Sequence, residues 1–373
     1  MNAGEVRTTF AEQFTWPDDR LLRWATEIVG VPKEAPADSF VLHAPLELVA
    51  RAALLPLVTG VERDHARERL VWMVVSYEAA GASVAPPGQI SVASVEDAMF
   101  SLLQAIETSD LDDIDRFASW FGKHGSAEEV RKGLGPALAP SLAAAAHGSI
   151  ALHLLGRSPH IDGSVLRGVA RDIGRNPDRR IAWEGLANGS RPLIDALLEA
   201  PMVGMPESNF IFPMVTNGAE SARRMLADVS SDPVVATQTL SRVAAWSMLQ
   251  DAPEHAPYGW THTLTIPQAV MHLDLDPVLA VSVAASQVMG FRASMGTRVL
   301  ERLQPLPNLG ALDRPLLASR ASRHFDAHLV KYTLACFDAA DRDPEMAQLY
   351  LTAAMYLADW WEDQPDDGFF ASA

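Results

Sequence analysis

The chain has 373 residues, 48% of them hydrophobic and 21% charged, and carries a formal net charge of −17. That hydrophobic share fills a sizeable globular core and excludes a disordered or fibrous chain. The acidic excess, with no basic stripe, excludes nucleic acid and an anionic membrane surface as partners.

A single cysteine, Cys336, allows no intrachain disulfide and no cysteine-based zinc cluster. It suits a reducing compartment. The opening MNAGEVRTTFAEQF lacks the apolar run of a signal peptide, so the expected location is the cytoplasm.

Helical periodicity dominates and alternating strand patterns are absent, which predicts an all-α fold. The first helix is expected over Asp18–Gly30, acid-capped and glycine-ended. Pro45–Gly60 follows, with proline in its first turn and glycine past its end. Further helices are predicted at Asp64–Ala80, Val95–Glu107, Leu111–Gly122, Ala127–Gly133 and Pro140–Gly156. Gly133–Gly156 contains no Asp, Glu, Lys or Arg, yet its two prolines and two histidines favour a buried helix over a membrane span.

The second half adds Asp162–Ile173, Ser190–Glu199, Gly218–Val229, Asp232–Gln250, Pro277–Phe291, Asp313–Ser319, Arg323–Ala339 and Glu345–Asp363. Arg175–Gly189, Pro201–Asn217, Asp251–Pro267 and Gln304–Leu312 read as irregular, with prolines or glycines at their turns. No long linker divides the chain. The expectation is a single large helical domain over residues 1–373 enclosing a central metal or substrate pocket. Residues 1–36 would form an N-terminal arm and residues 364–373 a flexible tail. Phe369–Phe370 and Trp360–Trp361 suggest a contact surface, as in a homodimer.

In Arg323–Ala339, His324, His328 and Lys331 stand at i, i+4 and i+7, on one face of one helix. One reading has His324 exposed, His328 satisfied in the core and Lys331 reaching to water. The other is a metal or catalytic face. His43, His147 and His262 also lie in apolar stretches, so with His328 four imidazoles and an amine need partners. A shared metal is the simplest common partner; four separately satisfied core histidines are the alternative.

His153 lies about 120° round the helix from His147, too far to face the same centre. His65, His124, His160 and His255 read as exposed, and His272 as paired with a carboxylate. Tyr258 and Trp260, just before His262, can wall a pocket for a flat aromatic molecule.

Competing chemistries fare poorly. The one Glu-x-x-His match, Glu62 to His65, falls short of the pair that a di-iron bundle needs. Asp112, Asp113 and Asp115 suit an acidic helix start. There is no His-Asp dipeptide, no Gly-x-Ser-x-Gly elbow, no phosphate loop and no Gly-x-Gly-x-x-Gly fingerprint.

An ordered set of short motifs resembles the questin oxidase-like family. They are Leu42-His43-Ala-Pro-Leu-Glu47-Leu, His147-Gly148-Ser-Ile150, Tyr258-Gly-Trp-Thr-His262 and Asp326-Ala-His328-Leu-Val-Lys331. The resemblance implies a mostly helical oxygenase, a dioxygenase or monooxygenase of secondary metabolism, that cleaves a carbon–carbon bond of an aromatic, anthraquinone-like polyketide with O2. It also implies Fe(II) held by His43, His147, His262, His328 and carboxylated Lys331, with His324 as a possible substitute ligand. His328 and Lys331 would carry the catalysis, and Tyr258 and Trp260 would meet the substrate.

Physical reasoning is compatible with that set. A desolvated lysine has a lowered pKa, and its neutral amine can add carbon dioxide to give the anionic oxygen that imidazoles lack. Zinc, nickel and manganese remain open on ligand type. Glu47 and Asp326 are the candidates to orient the imidazoles. Two alternatives stand beside this reading: a metal-free or NADPH-dependent Baeyer–Villiger-type oxygenase with histidine bases, and a non-catalytic helical binding protein.

Overall fold

The computed structural model describes the chain except residues 35–38, 183–189, 207–210, 227–228, 231, 304–313 and 372–373. The fold is all-α. Among the described residues the sheet content is one parallel pair of two-residue strands, Arg191–Pro192 beside Val229–Ser230.

At the N-terminus, Ala3–Thr9 is a helix because Asn2 and Glu5 form a reciprocal capping box. It is no loose arm. Ala3 and Val6 are fully buried, and the Ala3 amide donates to the Phe369 carbonyl at 2.8 Å. The C-terminal segment is anchored from the same side. Asp367 accepts from Arg69 at 2.6 Å, Phe369 is buried, and the Arg69 guanidinium lies 4.1 Å over its ring. Apolar burial thus ties down a stretch whose polar composition reads as frayed.

The helix containing His43 runs Ser39–Leu54, with Pro45 inside it rather than in its first turn. Gly60 does not end that helix; at φ 56° it begins the next one, Gly60–Ala79. The predicted Pro140–Gly156 helix is broken. Ala143–Ala146 forms a short 3-10 segment, and the α-helix is His147–Leu155.

Ile211–Leu226 crosses Pro277–Met295 so closely that a Cβ on Gly218 would stand 2.2 Å from the Gly290 carbonyl oxygen. Phe40–Leu57 and Pro277–Met295 are long and apolar enough to cross a membrane, but 67% and 89% of them is buried inside the fold, as in core helices.

The predicted irregular stretch 251–267 is largely helical. A π-helical turn, Ala256–Trp260, leads directly into the helix Thr261–Val270. Pro257, Gly259 and Pro267 read as loop signals, yet Pro257 sits in the first turn of the π-helical segment, Pro267 is taken into the interior of the following helix, and Gly259 admits the Met295 sulfur where a Cβ would be 2.3 Å from it. Toward the end, one predicted helix proves to be parts of two, Arg314–Arg323 and Ala327–Arg342. Asp326 makes the break: its carboxylate accepts from the His328 amide at 2.7 Å, an N-cap that starts a new helix.

Candidate metal centre

Four helices meet where the sequence placed isolated histidines. His43 comes from Ser39–Leu54, His147 from the first position of His147–Leu155, and His262 from Thr261–Val270. His328 and Lys331 stand one turn apart on Ala327–Arg342. His147, His262, His328 and Lys331 are buried, and His43 is half-buried.

Ring centroids are 4.1 Å apart for His43–His147, 4.7 Å for His43–His328, 5.0 Å for His262–His328 and 5.3 Å for His147–His262. The Nε2 atoms point inward. His43 Nε2 is 3.2 Å from His328 Nε2, and His147 Nε2 is 3.1 Å from His262 Nε2. Lys331 Nζ lies 2.7 Å from His262 Nε2. Donor nitrogens of His43, His147 and His328 all fall within 4.8 Å of one another.

Neighbours fix two of the tautomers. His328 Nδ1 lies 2.8 Å from Asp326 Oδ1 and donates to it, which leaves Nε2 as an inward lone pair. His262 Nδ1 donates to the Tyr258 carbonyl, delivered by the π-helical turn, and its Nε2 likewise faces inward. π-turns inside helices recur at functional sites because they re-aim backbone groups in this way.

Burial, then the charges of neighbouring groups, holds His147, His262 and His328 well below the usual imidazole range. Burial likewise drives Lys331 well below the usual ammonium range, opposed by Asp326. The set therefore favours neutral nitrogen donors.

These donors fit a cation. Around a metal with bonds of about 2.0–2.1 Å to nitrogen, adjacent donors stand roughly 3.0–3.4 Å apart, and the two Nε2 pairs match that edge. Inward lone pairs on buried imidazoles repel unless a proton or a cation sits between them. No carboxylate oxygen is among the described inward-facing atoms, so a divalent ion here draws its counter-charge from elsewhere; the Lys331 amine is the group in position to carry one.

The remaining predicted residues fall around this core. Asp326 orients His328, as expected of a supporting group. Glu47 meets no imidazole in the described contacts. It pairs with Arg51 at 2.6 Å, and Arg51 holds the carbonyls of Ser322 and His324 at 2.9 and 2.7 Å. Its part is to brace the break between the two C-terminal helices.

His324 lies in that break and not on the face of His328. It stacks on Phe325 at 4.5 Å, meets Trp361 at 4.8 Å, and its Nδ1 accepts from the Asp326 amide at 3.0 Å. The Asp326 N-cap is the physical reason. His324 lines a separate cleft of about 470 Å³ with Arg320, Arg323, Phe325 and Phe370.

Tyr258 is 52% exposed, its ring centroid 4.9 Å from that of His328 and nearly perpendicular to it, and its hydroxyl 3.5 Å from Asp326 Oδ2. Trp260 is fully buried against Arg292, whose guanidinium lies 5.5 Å over its ring, so it belongs to the core rather than to a pocket wall. Among the four histidines read as exposed, only His124 is; His65, His160 and His255 are half-buried.

Sequence reading missed the carbonyl of Tyr258, because a backbone role leaves no signature in residue type. No protein-family model, curated protein or solved structure matches the chain.

Proposed function

We propose that the chain is a mononuclear non-haem iron oxygenase acting with O2 on a small, electron-rich aromatic substrate of the hydroxylated polyketide class. One observation carries this reading: donor nitrogens of His43, His147 and His328, from three helices, lie within 4.8 Å of one another, and His262 Nε2 stands 3.1 Å from His147 Nε2 beside the buried Lys331. The family resemblance supplies the choice of iron and of an aromatic substrate; ligand type alone also suits zinc, nickel or manganese.

His43, His147, His262 and His328 would hold the metal, and Lys331, as its carbon dioxide adduct, would add an anionic oxygen. Bound iron(II) supplies the one-electron chemistry that dioxygen needs and that no side chain provides. The chain does the rest. Asp326 and the Tyr258 carbonyl hold protons on two Nδ1 atoms and so keep two lone pairs turned inward. Helix packing excludes water from the centre, which strengthens each of these interactions. Tyr258, half in solvent with its ring against His328, is the side chain in position to meet an arriving aromatic ring.

The test is metal analysis of freshly purified protein, with mass spectrometry of the Lys331 peptide and oxygen uptake on a panel of hydroxyanthraquinones. About one iron per chain and substrate-dependent uptake are expected. Oxygen uptake that needs NADPH and survives chelation would replace this reading with a metal-free Baeyer–Villiger one. A chain that takes up no metal, and keeps its fold when His147 and His262 are both replaced, is a helical binding protein.

A further inference from the structure

His147 differs from the other buried imidazoles in how it is aimed. His262 and His328 are each held by a hydrogen bond at Nδ1, whereas His147 Nδ1 is buried and has no partner. Metal-binding histidines normally donate that second nitrogen to a carbonyl or a carboxylate, which sets the ring. Something else must set this one.

Directly before it stand three consecutive residues in the left-handed region: Ala144 at φ 47°, Ala145 at φ 52° and Ala146 at φ 60°. Alanine is disfavoured there by about 1–2 kcal/mol per residue, since its Cβ crowds the following carbonyl oxygen. Three in a row make one left-handed turn that only surrounding contacts can hold. The main one is Asp172, on the helix Arg167–Arg175. Its Oδ2 accepts the Ala144 amide at 2.5 Å, while its Oδ1 accepts from Asn176 Nδ2 at 3.2 Å. Neighbouring backbone is pinned too, with the Leu142 amide donating to the Arg179 carbonyl at 2.7 Å.

We infer that Asp172 is a positioning residue for the metal centre: by clamping the Ala144 amide it holds the left-handed turn of residues 144–146, and that turn aims the His147 ring in place of a side-chain partner at Nδ1. The inference rests on the metal-centre reading. It adds a group outside the donor set, acting through backbone, to the residues that determine metal affinity.

Cobalt(II) titration of the metal-free protein tests it, read by visible absorption, whose intensity reports coordination geometry. Asp172→Ala is expected to weaken cobalt binding by about 10-fold or more, the range for lost supporting hydrogen bonds, and to change the absorption bands. Asp172→Asn, whose amide oxygen still accepts the Ala144 N–H, should restore the wild-type bands. Ala145→Gly added to Asp172→Ala serves as a second variant: glycine adopts the left-handed turn without the Cβ penalty, so it should recover part of the cobalt affinity that Asp172→Ala loses. If Asp172→Ala binds cobalt with wild-type affinity and bands, or Ala145→Gly recovers nothing in that background, the inference is overturned. If wild-type protein binds no cobalt, it is the metal-centre reading that fails.

Discussion

Three helices that build the candidate metal centre lead to a second histidine group farther along, His272 just past the end of its helix, and the two groups are finished differently. Beyond His147 lies His153, beyond His262 lies His272, and beyond Lys331 lies Asp338. In this second group His153 Nε2 is 3.4 Å from Asp338 Oδ2, Arg157 pairs with the same carboxylate, and Arg342 lies 3.8 Å away. The His272 ring is 5.5 Å from that of His153, and its Nδ1 donates to the Gln268 carbonyl at 2.5 Å. Charge is balanced within the protein: although burial opposes its ionisation, the His153 ring and the Arg157 guanidinium hold the Asp338 carboxyl down to about 2. The first group has no carboxylate among its described inward atoms and sets Nε2 atoms against one another. Histidines gathered together are thus not a metal site by their number. What separates the two groups is where the carboxylate stands: Asp338 lies between its histidine and its arginines, whereas Asp326 stands behind His328 at Nδ1 and leaves the inward Nε2 atoms to one another.

The largest effect should come from breaking the unfinished group. Lys331→Ala removes the group that, on the proposed reading, would bring an anion to the centre. Metal content measured by mass spectrometry is expected to fall to background, and turnover with it. Full metal retention would remove the carbamate from the account.

The finished group should respond in the opposite currency. Asp338→Ala leaves two partly exposed arginines and a half-buried imidazole without their carboxylate, a loss of about 1.5–3 kcal/mol for hydrogen bonds to a charged group. Urea unfolding should register that loss while cobalt affinity stays at the wild-type level. A variant that lost metal without losing stability would mean the two groups act as one.

Acid sharpens the contrast further. Burial, reinforced by the Arg342 charge, lowers His272 to about 4, from an ordinary value near 6.5. Below pH 6.5 the unfolded chain takes up a proton that the folded chain refuses, so stability falls from pH 6.5 to about 4 and then levels. At about 1.4 kcal/mol per pH unit, this ring alone accounts for roughly 3 kcal/mol. Asp338, depressed to about 2, adds stability above its ordinary value that disappears as pH falls from about 4 to 2. Unfolding followed against pH should therefore show two successive acid limbs, and His272→Gln should make the upper one shallower by this ring's share, the other low-lying imidazoles keeping the rest.

How much of this the sequence made legible depends on what kind of group acts. Side chains in apolar stretches are visible: His43, His147, His262, His328 and Lys331 stand out by residue type, and the fold brings them together. Breaks were not. The Asp326 cap that separates His324 from His328 lies inside an uninterrupted apolar rhythm, and periodicity has no means of registering where one helix stops and a newly capped one begins. Ala144–Ala146 reads as ideal right-handed helix, because alanine's propensity gives no hint that neighbouring contacts hold it left-handed. Prolines and a glycine disguised the His262 helix as loop. Backbone roles, such as that of the Tyr258 carbonyl, belong to no residue type at all.

Tyr258 offers the smallest expected effect and the finest discrimination. It touches the centre twice, through its carbonyl to His262 and through its ring and hydroxyl toward His328 and Asp326. If contact alone made a group matter to the metal, Tyr258→Phe would weaken it measurably. The hydroxyl sits 3.5 Å from Asp326 Oδ2 and the side chain is half in solvent, so its bond contributes less than about 1 kcal/mol. Phenylalanine keeps both the ring and the carbonyl. Cobalt affinity should therefore change by less than about 5-fold, while any aromatic ligand that uses the hydroxyl should bind more weakly. A larger loss of metal would show that Asp326, and through it His328, is aimed by the Tyr258 hydroxyl and not by the helix cap alone.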